Sequence, residues 1–188
     1  MIDLTYALQR VVNALENAGA KYMIVGSTAA AAWGVIRSTR DIDLVAVIPT
    51  DTSELLIKEL SDEDLYFPIE DARKAASLGG SFNVLHPASG GKVDVFICKP
   101  DDPFENMRLE RRVQLDVLGI TTWVATPEDV ILSKLEWRLV SRSDTQWRDC
   151  IEIAATQPLD TQHMRFWAGR LGVSEDLEEL LAGISESE

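Results

Sequence analysis

The stretch from Gly26 through Asp43, GSTAAAAWGVIRSTRDID, constrains this chain more than any other, because it directly follows the apolar run YMIV. A glycine placed right after a strand lets the backbone turn sharply and pass close to a neighbour. Ser27 or Thr28 is suited to cap the alanine-rich helix that residues 27–33 predict. Residues 42–48, IDLVAVI, read as the next strand, stopped by Pro49. Asp41 and Asp43 then fall at i and i+2 and share one side of it. Two carboxylates held side by side repel each other unless positive charge lies between them, and a divalent metal is the simplest candidate. A plainer reading has the Asp-x-Asp only capping or turning the chain.

The remaining periodicity predicts an α/β part over 1–125 and a helical part over 126–188. Residues 4–18 have helical spacing with Gly19 as a stop, and KYMIV (21–25) reads as a buried strand. Helices are expected over 53–60 and 68–77. Two strands, 82–86 and 92–97, are joined by PASGG as a hairpin. A turn and short helix over 101–110 lead to short strands in 111–119 and 121–125. Thr126-Pro127-Glu128-Asp129 looks like a helix start, with a Thr cap, Pro at the first position and acids in the first turn. Three further helices are expected over 145–156, 160–171 and 175–182.

Charge narrows the partners. The 188 residues carry a net charge of −13. Residues 51–71 hold eight acids against Lys58, and the tail from Ser174 holds six with no base, so the rest of the chain is neutral. Such faces are commonly just solvated, but they also repel polyanions and attract cationic molecules. Broad binding to long DNA or RNA is therefore not expected. Cys98 and Cys150 lack metal-site spacing and read as reduced thiols. No apolar run is long enough to span a bilayer, and MIDLTYALQR has no secretory pattern, so a cytoplasmic, non-membrane protein is expected.

A third acid fits the first two. Asp94 lies in KVDVFI, where an acid among apolar residues is unexpected on burial grounds. If that strand neighbours 42–48, Asp94 meets Asp41 and Asp43 at one sheet surface; otherwise it is an edge residue facing water. Three carboxylates can hold two Mg²⁺ ions for phosphoryl-type transfer, which depends mostly on positioning and charge neutralisation. Gly26-Ser27 at a helix start would supply an anion site for phosphates.

Taken in order, these residues resemble the nucleotidyltransferase superfamily, which shares the DNA polymerase β catalytic core. The family's first motif is similar to Val25-Gly26-Ser27, thirteen intervening residues, then Asp41-Ile42-Asp43-Leu44, and its third carboxylate matches Asp94. The resemblance covers roughly residues 20–97. It implies a mixed sheet flanked by helices and an enzyme moving a nucleoside monophosphate from an NTP to a hydroxyl, with release of pyrophosphate. Asp41, Asp43 and Asp94 would be the catalytic, metal-binding residues, two Mg²⁺ ions the cofactors, and Gly26 and Ser27 contacts of the triphosphate. The acceptor could be tRNA, a protein hydroxyl or a small aminated molecule.

The C-terminal half, ATPEDVILSKLEW followed by QWRDCIEI, is similar to small bacterial nucleotidyltransferase-like proteins of the abortive-infection and toxin–antitoxin type. That resemblance implies a phosphate-facing Lys134 and a functional Arg148-Asp149 element. It also leaves room for a catalytically weak interaction protein working with a partner protein. On the residues alone, Lys134 and Arg138 could instead form a solvated stripe, and Arg148 and Asp149 an ion pair locking two helices. Arg37 and Arg40 flank the carboxylates and either clamp phosphates or balance charge. His86 reads as structural or surface, His163 as exposed, and the five tryptophans as packing residues, with Trp33 and Trp137 candidates to border a cleft.

Overall fold

Alternating and helical periodicities resolve into six strands and nine α-helices among the described residues, which in this computed structural model are 3–36, 38–61, 63–99 and 101–185. Arg37, Asp62, Glu186 and Glu188 lie outside them. Helix α1 (Thr5–Asn17) buries Ala7, Leu8, Val11, Val12, Ala14 and Leu15 along one stripe. It ends where Gly19 takes φ +66° and Ala20 N–H donates back to the Leu15 carbonyl at 2.9 Å. The chain then turns into β1 (Lys21–Val25), followed by α2 (Gly26–Ala32) and β2 (Ile42–Val47). Helices α3 (Ser53–Leu60) and α4 (Ile69–Leu78) lead into the hairpin of β3 (Gly80–His86) and β4 (Gly91–Ile97).

One mixed sheet has the order β3-β4-β2-β1-β6-β5, its last two strands being β5 (Val113–Val117) and β6 (Ile120–Val124). β1 and β2 are antiparallel neighbours, while β2 and β4 are parallel. The C-terminus of β1 and the N-termini of β2 and β4 therefore meet at one end of the sheet. All three candidate acids sit at that end.

The faces of the sheet differ. Val93, Val95, Phe82 and Val84 point to one side and are buried, with α1 and α4 packed against β3 and β4. The alternate residues Asn83 and Phe96 are exposed on the other side, and Phe96 remains 41% accessible. A strand pair covered on one face only follows from this strict alternation.

Helix α5 (Pro103–Arg111) is capped by Asp102, which accepts from the Phe104 and Glu105 amides at 3.0 Å. Helix α6 (Pro127–Ser141) begins as its sequence foretells, with Thr126 Oγ1 accepting from Asp129 N–H and Pro127 in the first turn. α6 packs on α7 (Asp144–Thr156) and α8 (Thr161–Leu171), and α9 (Ser174–Ser185) closes against α7 and α8. Buried apolar residues of the sheet and of the C-terminal helices form one continuous core.

Two local expectations need correction. Helix α2 starts at Gly26, one residue early, and has no side-chain cap; Thr28 Oγ1 instead points towards the Asp41 carbonyl at 3.5 Å. His163 is not exposed: its Nε2 lies 2.9 Å from Oδ1 of the fully buried Asp129, tying α8 to α6. The first-turn acids Glu128 and Asp129 are buried, and Arg111 at the end of α5 pairs with both. Cys98 and Cys150 are free thiols, and burial pushes both up to about 12. None of the described helices is long and apolar enough to cross a membrane.

Candidate functional site

The site starts with strand register. Asp43 on β2 is directly opposite Asp94 on β4, and Val25, the last residue of β1, is opposite Asp43. Directly opposed residues project to the same face, so the two carboxylates share one surface. Asp41 lies one residue before β2, on the loop that returns from α2. That loop is fixed by Thr39, whose Oγ1 donates to the Asp41 carbonyl at 2.8 Å.

Gly26 is placed by the same register. It has φ +63°, a conformation that favours glycine. A Cβ there would overlap Asp43 Oδ2 and lie 3.1 Å from its Cγ. The strand-to-helix turn and the Asp43 side chain thus occupy adjoining space that only a glycine leaves open. Ser27 follows in the first turn of α2, half-buried. Arg40 is exposed on the loop just before Asp41.

The electrostatics are those of crowded acids. Burial pushes the Asp43 carboxyl up to about 6, and the charges of Asp41 and Asp94 push in the same direction. Lys92 and Lys134 oppose the rise. Lys92 is on β4 two residues before Asp94, hence on the same face. Its Nζ lies 2.7 Å from Asp94 Oδ2 and 3.5 Å from Asp41 Oδ2. The sequence reading did not single it out, although the i, i+2 spacing to Asp94 is the signal that places it there.

Lys134 is neither part of a solvated stripe nor free to reach out. Its side chain is buried, with Nζ 2.7 Å from Asp149 Oδ2 and 3.0 Å from Gln146 Oε1. This buried pair locks α6 to α7, while the Lys134 charge still reaches Asp43. Arg148 is exposed, so Asp149 finds its cation on the neighbouring helix instead. Trp33 donates its Nε1–H to the Ala125 carbonyl at 2.8 Å, a packing role, and His86 bonds Ser89 and stacks on Tyr6.

Among the described residues no three His, Cys, Asp or Glu side chains converge closely enough to hold a metal as they stand. Asp41, Asp43 and Asp94 nevertheless form a donor set of hard oxygens at one sheet end, and a cation, the Lys92 ammonium, already bridges two of them. The chemistry of the set fits Mg²⁺, provided that Lys92 withdraws.

No family model matches the chain, and no curated protein matches it. Solved structures do. An antigenic nucleotidyltransferase-like protein from Paracoccidioides brasiliensis superposes with a TM-score of 0.59 at 19% identity, covering 95% of this chain and 92% of that one. A candidate nucleotidyltransferase from Thermotoga maritima gives 0.48 at 17% identity over 79% of this chain and 94% of its own. The first superposition gives the chain a nucleotidyltransferase-like fold.

Proposed function

We propose that the chain is a Mg²⁺-dependent nucleotidyltransferase, moving a nucleoside monophosphate from an NTP to a hydroxyl acceptor with release of pyrophosphate. The observation that carries this reading is the in-register pairing of Asp43 with Asp94, with Asp41 beside them and Gly26 leaving room for the Asp43 carboxylate. Three acids crowded until one resists ionisation are costly to keep unless they serve a cation. Asp41, Asp43 and Asp94 would hold the metal. Bound there, Mg²⁺ would neutralise the triphosphate and the leaving pyrophosphate. Asp94 would take the acceptor hydroxyl's proton. The Gly26-Ser27 turn and Arg40 would orient the triphosphate. Lys134, tied to Asp149, would act on the site through its charge rather than by contact.

The acceptor is a hydroxyl on tRNA, a protein or a small molecule, and the acidic surface favours a cationic one. Incubation with Mg²⁺, α-labelled NTPs and fractionated cell extract should give label transfer and pyrophosphate release. Asp43→Ala should abolish both, and an unaffected variant would sink the proposal.

A second reading is favoured by the Lys92 bridge: a catalytically weak protein of this fold, acting as the interaction member of a toxin–antitoxin pair. In that case the Asp41–Asp94 pair is satisfied by lysine and needs no metal. Absence of Mg²⁺–NTP binding at high concentration would support it.

A further inference from the structure

We infer that Lys92 is a tethered cation that competes with the divalent metal for Asp41 and Asp94 and so sets the metal affinity of the site. This rests on the metal-dependent reading above and deepens it. The Lys92 ammonium contacts one oxygen on each of two acids that come from different segments, the loop before β2 and strand β4. It thereby ties that loop to the sheet. A protonated lysine has three donors and no lone pair, so it cannot join a metal's coordination shell. Mg²⁺ demands tight octahedral oxygen coordination at about 2.0–2.1 Å, and it cannot use Asp94 Oδ2 while the ammonium lies 2.7 Å from that atom. Metal arrival must therefore break at least the Asp94 contact. Only one-third of the Lys92 side chain is accessible, but it stands on the partly exposed sheet face that also carries Asn83, and its four-carbon stem gives the ammonium room to swing off the carboxylates into solvent.

Asp41 and Asp94 both face the Lys92 ammonium. The three acids carry more charge than one lysine neutralises, so the site still attracts a divalent ion. The lysine raises the metal concentration that is required.

The test is calorimetric titration of the full chain with Mn²⁺ alone, taking as the site's signal the heat that is lost in Asp41→Ala. Lys92→Met should bind Mn²⁺ roughly tenfold tighter than the wild type. Lys92→Gln, a gentler change at a partly exposed position, should move in the same direction, and Lys92→Arg should stay near the wild type. Equal or weaker binding by both neutral variants overturns the inference while leaving the metal-dependent reading intact. Loss of any Asp41-dependent Mn²⁺ heat in all four proteins overturns both.

Discussion

Replacing Asp43 by asparagine should make the metal-free protein more stable, at the expense of its site. Asp43 is pushed from 3.8 up to about 6, first by burial and then by the charges of Asp41 and Asp94. The folded state thus holds this proton more tightly than the unfolded chain does. Its contribution to stability is fully present below about pH 4 and is lost as pH rises through about 6. At neutral pH the folded protein carries an ionised carboxylate where it disfavours one. The shift of roughly two units corresponds to about 3 kcal/mol at most. Asp43 is partly solvated, and screening reduces this to about 1–2 kcal/mol. A chain of this size gains about 2–4 °C in Tm per kcal/mol, so Asp43→Asn should melt roughly 2–8 °C higher near pH 8 in EDTA. Thermal and urea unfolding of both proteins should show the gap narrowing steadily towards pH 4.5. A variant less stable than wild type near pH 8, or a gap that does not change with pH, would refute the electrostatic argument.

Gly26→Ala should destabilise by about 2–4 kcal/mol, combining an unfavourable positive φ with overlap against Asp43. Urea midpoints read the loss, and pairing it with Asp43→Gly, which removes the overlapping atoms, should recover part of it. Lys134→Met strips the cation from the buried Asp149 and should cost about 3–5 kcal/mol by the same measurement, whereas Lys134→Met with Asp149→Leu should cost distinctly less.

Much of the site could be read from spacing because strands have a two-residue period. The i, i+2 aspartates and the acid inside KVDVFI could be assigned to sheet faces before any register was known. Their meeting depended on β4 pairing in parallel with β2, a non-local choice that no local pattern encodes. Helix starts with strong local chemistry, such as Thr126-Pro127, were legible for the same reason that α2 was misjudged by a residue. A cap is a local bond, whereas the need for a glycine at position 26 comes from Asp43, which lies on another strand. Ion-pair partners were the least legible. Lys134 with Asp149 and His163 with Asp129 are contacts between helices, set by tertiary packing that a single chain pattern leaves open.

The most direct test of the carboxylate-centred nucleotide site is calorimetric titration of the wild type and of Asp43→Ala with each Mg²⁺–NTP. It needs no knowledge of the acceptor. The expected result is saturable binding of at least one Mg²⁺–NTP by the wild type and its loss in the variant. Equal binding by both proteins, or none by the wild type at high concentration, would contradict the assignment of Asp41, Asp43 and Asp94 as a metal–nucleotide site.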